Sequence, residues 1–226
     1  MAETLAVIDF ETTGLGAGSG GRATEIAAVL VRDGRIVDQY QSLMRSGVSV
    51  PPFIERLTGI SNAMLADAPP AAQVMHEVFA FTRGCGLVAH NASFDRSFWH
   101  YEADLAGCEP DPAHEFACTV LLARRLYPEA PSCKLGALAQ FHALPNMGRA
   151  HRALADAMTT AHLLLRMQAD VSERYAAALA GAQVNHGLLA LLQRCSRTQL
   201  LRAVTAEARR QQARAQMPLF HQNAEM

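Results

Sequence analysis

The apolar pattern along the chain changes period several times. Residues 5–8 form a short unbroken apolar run that ends at Asp9, the mark of a buried strand. Residues 25–31 and 35–43 read as two further strands, joined by a turn at Asp33-Gly34. Pro51-Pro52 opens a helix. Pro69-Pro70 opens another, which carries Val74, Val78 and Phe81 and stops at Gly84. Residues 86–89 predict a short strand, residues 93–105 a helix that Ser93 can cap, and the neighbourhood of Phe116 a further strand. Helices follow at 120–126, at 135–141 and from about 152 to 167. Strands come first as a meander and then alternate with helices. That order predicts an α/β fold with a mixed five-stranded sheet flanked by helices. Beyond Asp170 the chain is rich in Ala, Leu and Arg at helical spacing, and from Arg209 it turns polar. The expected organisation is therefore a main domain over 1–170, a helical extension over 171–208 and a flexible tail over 209–226.

Composition narrows the picture. Half of the 226 residues are hydrophobic, enough to bury one α/β core with chain left over. No apolar run approaches the ~20 residues that span a bilayer, and the start lacks a basic-then-apolar leader, so no membrane partner is expected. The five cysteines include no C-x-x-C pair, which reads as reduced thiols in a cytoplasmic protein rather than a disulfide framework or a zinc site. Net charge is −1, but its distribution is uneven: residues 1–170 hold 13 Lys+Arg against 18 Asp+Glu, and residues 171–226 hold 7 against 3. An acidic first part is no obstacle to a phosphate substrate if its carboxylates hold divalent cations. The basic last part can touch phosphate or simply be the solvated face of helices.

Three segments carry the chemistry. In VIDFETTGL, Asp9 and Glu11 share one face of a strand, because side chains alternate with period two. Two like charges at neighbouring, partly desolvated sites leave three outcomes: one is protonated, side-chain cations pair with them, or a divalent metal sits between them. In LVAHNASFDRSF, a short strand ends at His90-Asn91 and Asp95 falls near the first turn of a helix, a place where an acid is ordinary. In RAHRALADAMTTAHLLL, Asp156 reads as an acid in mid-helix among alanines, a poor choice for helix propensity, with His151 just before the helix. Four carboxylates and one histidine can together supply a two-metal phosphodiesterase site.

D-x-E-T-T-G at Asp9 to Gly14, H-N-A-S-F-D at His90 to Asp95 and H-x-x-x-x-D at His151 and Asp156 resemble the three exonuclease motifs of the DEDD superfamily. They match its histidine-bearing branch, which takes in the proofreading epsilon subunits of bacterial DNA polymerase III and exonuclease X. Glu25, LTGIS at Leu57 to Ser61, DAP at Asp67 to Pro69 and CTVLLARRLYP at Cys118 to Pro128 add lesser similarities; the Gly16 to Gly21 stretch departs from the pattern, and the last sixty or so residues lie outside the match. The resemblance implies a ribonuclease H-like fold and two divalent cations, Mg²⁺ or Mn²⁺, held by Asp9, Glu11, Asp95 and Asp156. It implies His151 as the general base, since an imidazole titrates near neutral pH. Thr12, Thr13 and Leu15 would meet the terminal nucleotide, and Asn91 the backbone. The implied reaction is 3′-5′ hydrolysis of single-stranded DNA to 5′-mononucleotides in proofreading or repair.

Three alternatives stand beside it. An exoribonuclease would keep the same motifs. A binding subunit would keep the fold and serve mainly to tether, although all five catalytic positions are filled. Gly16 to Gly21 formally fits G-x-G-x-x-G, but a strand follows where a dinucleotide site needs a helix, so an oxidoreductase is excluded. Near the end, Gln216-Met217-Pro218-Leu219-Phe220 resembles the short motif by which bacterial replication proteins bind the sliding clamp. There Gln216 would set the register and Leu219 and Phe220 would fill a pocket. A polymerase subunit is the other expected partner besides nucleic acid.

Overall fold

The computed structural model describes residues 3–14 and 16–216. In chain order its strands are β1 (Thr4–Thr12), β2 (Ala23–Arg32), β3 (Arg35–Leu43), β4 (Gly86–Ala89) and β5 (Phe116–Cys118). Its helices are α1 (Pro52–Thr58), α2 (Asn62–Ala66), α3 (Ala71–Phe81), α4 (Ser93–Ala106), α5 (Thr119–Leu126), α6 (Leu135–Phe141), α7 (Ala153–Arg174), α8 (Ala176–Leu179), α9 (His186–Leu192) and α10 (Leu200–Gln216). The sheet order is β3-β2-β1-β4-β5. The first three strands pair antiparallel, whereas β4 and β5 run parallel to β1, giving the expected mixed sheet. Asp33 and Gly34 both take positive φ, 52° and 73°, the backbone of a tight hairpin whose twist matches the strands it joins.

Alternation along β1 sorts the core into two layers. Ala6, Ile8 and Phe10 pack with α3 and α4 through Val74, Val78, Phe98 and Trp99. Leu5 and Val7 face the other way, into a layer shared with α5, α7, α9 and α10. Asp9 and Glu11 continue that second face, towards α7. No helix among the described residues is long and apolar enough to cross a membrane.

The segment expected as an extension is part of this core. Leu188, Leu189, Leu192 and Val204 lie in the same apolar cluster as Leu5 and Val7. Gln193 accepts the Cys118 N–H at 2.7 Å and donates to the Phe116 carbonyl at 3.2 Å, occupying the outer edge of β5 as another strand would. His186 donates through Nε2 to the Leu87 carbonyl at 3.0 Å. It lies so close to β4 that a Cβ on Gly86 would fall 2.4 Å from its ring, so only glycine fits there.

Three expectations about element ends change. Helix α7 runs through residue 170 to Arg174, and its first residue is Ala153, which puts Asp156 in the opening turn rather than in mid-helix. An acid there is favoured by the helix dipole, so its presence needs no excuse from exposure. Ala92, not Ser93, holds the N-cap position of α4, without a side-chain cap. The polar stretch after Arg209 is helical as far as Gln216, which is exposed at the end of α10. Leu15, Leu219 and Phe220 lie outside the described residues.

Candidate active site

Strand β4 is short, and its pairing with β1 ends at Val7 and Val88. The second half of β1 therefore lacks a strand neighbour on that side. Helix α4 fills the gap: Asp95, buried in its first turn, accepts the Phe10 N–H through Oδ1 at 3.1 Å. That bond takes the place of a ladder bond and brings the Asp95 carboxylate beside Asp9.

On its other side β1 pairs with β2, and Glu11 stands directly opposite Glu25. Such a pair repels unless one member is neutralised. Glu25 is fully buried and takes three partners from elsewhere: Arg152 donates from Nε and an Nη at 3.1 and 2.8 Å, the Ala153 N–H at 3.0 Å and Gln41 at 2.7 Å. Although burial alone would raise it, these donors hold the Glu25 carboxyl below its usual range. The same contacts fix the start of α7 over the end of β1. Sequence reasoning assigned no role to the Glu25–Arg152 pair, which positions α7 without needing to touch substrate.

Fixed in this way, α7 presents Asp156 to Glu11. Asp156 Oδ2 accepts the His151 N–H at 2.9 Å, and His151 holds a left-handed backbone, φ 61°, uncommon for a non-glycine residue. Ligating atoms of Glu11, His151 and Asp156 all lie within 4.8 Å of one another, a spacing one cation can bridge. A cavity of 880 Å³ opens beside His151 and Asp156, walled by α6 and the loop around Pro145 and Met147.

Electrostatics set this cluster apart from a solvated strand end. Burial, followed by the charges of Asp95, Asp156, Glu11 and Glu25, raises the Asp9 carboxyl well above the ordinary range. Burial and the charge of Asp156 push Glu11 up to about 8. Desolvation raises Asp95 against the pull of the Phe10 N–H, and Asp156 against the pull of His151. A set of hard oxygen donors that cannot all ionise together fits divalent cations, whose charge removes the repulsion.

This has a consequence for the metal-free protein. A carboxyl whose folded pKa lies above its unfolded value keeps a proton that the unfolded chain has released. Stability is therefore lost as pH rises from about 4.5 towards 8, the window set by Glu11. The melting temperature without divalent ions is expected to fall between pH 5.5 and 8, by several degrees for a loss of ~1–3 kcal/mol. Millimolar Mg²⁺ or Mn²⁺ should restore it, more at pH 8 than at pH 5.5, because ligands must be deprotonated. Asp9→Asn should flatten the metal-free curve. A wild-type curve as flat as the variant's, or indifferent to the cations, would contradict the cluster's assignment.

The remaining expected site residues fall into two groups. Thr12 and Thr13 are buried, and their hydroxyls accept the N–H groups of Gly14 (3.2 Å) and Arg22 (3.1 Å), so they shape the loop after β1 from within. Exposed Phe53 lies over that loop, since a Cβ on Gly14 would meet its ring at 3.5 Å and Ile54 at 2.6 Å. Asn91 is exposed with φ 65° and lines a separate groove at the start of α4. His90 is turned inward, hydrogen-bonded through Nδ1 to Thr119 at 2.9 Å, and burial lowers its pKa to about 4.

Comparison with known proteins agrees with this geometry. The family model described as Exonuclease matches residues 6–164. The chain is 35% identical over 163 residues to the 3′-5′ exonuclease DinG of Staphylococcus epidermidis, a match that covers 72% of this chain and 18% of the relative. It is likewise 35% identical over 167 residues to the PolC-type DNA polymerase III of Caldanaerobacter subterraneus subsp. tengcongensis, covering 74% of this chain and 12% of the polymerase. Both relatives are thus far longer than the shared segment. Among solved structures, exonuclease X in complex with 5′ overhanging duplex DNA superposes with a TM-score of 0.58 at 35% identity, covering 73% of this chain and 91% of that one.

Proposed function

We propose that this chain, which belongs to the DEDD 3′-5′ exonuclease superfamily through the Exonuclease family it matches over residues 6–164, removes nucleotides singly from the 3′ end of single-stranded DNA. The observation that carries the reading is the convergence of Asp9 and Glu11 from β1, Asp95 from α4, and Asp156 with His151 from the start of α7. Side chains from three distant segments meet at one end of the central strand, where a hydrophobic sheet face would otherwise continue.

Asp9, Glu11, Asp95 and Asp156 would hold two divalent cations, Mg²⁺ or Mn²⁺. When bound, such ions orient the scissile phosphate, activate water and stabilise the leaving oxygen. The chain's own residues do the rest. His151, exposed at the rim of the cluster, takes the proton from the attacking water. Asp156 holds the His151 backbone, so ligand and base keep one geometry. Glu25 and Arg152 anchor both to β2.

DNA is favoured over RNA because exonuclease X, solved with duplex DNA, and the PolC-type polymerase are both 35% identical to this chain. That similarity also motivates a role in proofreading or repair, beside a polymerase or on its own. The tail motif at Gln216, Leu219 and Phe220 would tether the enzyme to a sliding clamp and raise its local concentration at DNA. A single set of assays tests substrate and tether. Linear single-stranded DNA is expected to be digested faster than RNA of the same sequence, and a circular strand not at all. Adding clamp to primed DNA should speed the wild type but not a Leu219→Ala, Phe220→Ala variant. Faster digestion of RNA overturns the substrate, and an equal clamp effect in the variant overturns the tether.

A further inference from the structure

A second groove, of 330 Å³, lies where α4 begins, between the end of β5, α5 and α9, and is lined by Asn91, Ser93, Arg96, Cys118, Arg124 and Gln193 among others. It adjoins the catalytic cluster through α4: Asp95 points inward to Phe10, and the next residue, Arg96, points outward. Its electrostatic character is the opposite of its neighbour's. No carboxylate lines it, and two arginines do.

The engagement of those arginines differs from that of Arg125, Arg22 and Arg152. Arg125, next to Arg124, is tied down by bonds of 2.7 Å to the carbonyls of Cys195 and Leu121. Arg22 and Arg152 are locked onto the buried carboxylates of Glu102 and Glu25. Arg96 and Arg124 are exposed, and among the described residues neither forms an ion pair. A guanidinium held at a groove wall with no protein anion matches an anionic ligand from outside.

We propose that this groove carries the sugar-phosphate backbone of the single strand on the 5′ side of its reacting end, with Arg96 and Arg124 each neutralising a phosphate. The inference rests on the exonuclease reading and adds to it a path for the part of the strand not yet cut. Recognition through phosphate is indifferent to base and salt-dependent. It acts on the affinity for long strands and not on hydrolysis at the terminus. The helices beyond the matched family segment share in the path, since Gln193 closes one wall of it.

The test uses an Arg96→Ala, Arg124→Ala variant of the whole chain. Both side chains are exposed, and the melting temperature should stay within a degree or two of wild type. Binding of a fluorescein-labelled dT15 is measured by anisotropy in EDTA, where nothing is cut. The variant is expected to bind roughly ten- to thirtyfold more weakly near 0.1 M salt, with the salt slope reduced by about 1.4, the value for two phosphates of a single strand. Hydrolysis of thymidine 5′-p-nitrophenyl phosphate with Mn²⁺, an ester too short to reach the groove, should stay within twofold. Unchanged dT15 binding overturns the proposal, as does an equal loss on the short ester, which would place the arginines at the reacting phosphate. Salt-dependent dT15 binding lost in the variant, with no mononucleotide released by the wild type, would uphold the groove and overturn the exonuclease reading alone.

Discussion

Asp9→Ala and Asp156→Ala are each expected to lower single-turnover cleavage by ~10³-fold or more, because each removes an oxygen donor where cations must offset charge on the scissile phosphate. The two variants should differ in the metal-free protein. Asp9 is raised by burial and by four neighbouring carboxylates, so its removal relieves repulsion, and the inactive variant should melt no lower than wild type at pH 8. Asp156 also accepts the His151 N–H, so Asp156→Ala loses a bond that holds a left-handed residue in place. Asp156→Asn keeps an acceptor there and isolates the loss of charge. Near-wild-type cleavage by a folded Asp9→Ala or Asp156→Ala variant would remove that residue from the ligand set.

The second large effect is at His151. His151→Ala should slow turnover by roughly 10²–10⁴-fold, the usual contribution of a general base. The loss is expected in kcat rather than in substrate affinity, because the residue acts on the proton of the attacking water. Its ring lies within 4.8 Å of the Glu11 and Asp156 oxygens, close enough to serve as a ligand instead. Titration with Mn²⁺ separates the roles. A base leaves cation affinity unchanged in the variant, whereas a ligand weakens it by an order of magnitude or more.

How much of this was legible in the sequence depended on how local each cause is. Period two along β1 placed Asp9 and Glu11 on one face, and an apolar run beside them showed that the face was meant to be buried. The start of α7 was read to within a residue, about 152 against Ala153, yet Asp156, in the opening turn, was taken for a mid-helix acid because no side-chain cap beside it marks that turn as an end. The N-cap position holds Arg152, with no side-chain cap, and the first N–H is satisfied by Glu25, 128 residues away in β2. A cap supplied across the fold leaves no signature beside the helix. Ser93 misled in the opposite sense, since a good capping residue sits one position inside α4. The length of α10 was underestimated because polarity was read as loss of structure, although Ala, Gln and Arg after position 209 are strong helix formers. The anchoring of the last helices by His186 and Gln193 crosses 99 and 75 residues, and only the folded chain brings those partners together.

Digestion of a linear single-stranded DNA labelled at its 5′ end, with Mg²⁺ and then with excess EDTA, shows whether the chain cuts from the 3′ terminus and needs divalent cations to do so. The expected result is a ladder of labelled products shortening one nucleotide at a time in Mg²⁺, with unlabelled 5′-mononucleotides released and no cleavage in EDTA. Release of the labelled nucleotide first, cleavage at internal positions, or equal digestion in EDTA would contradict it.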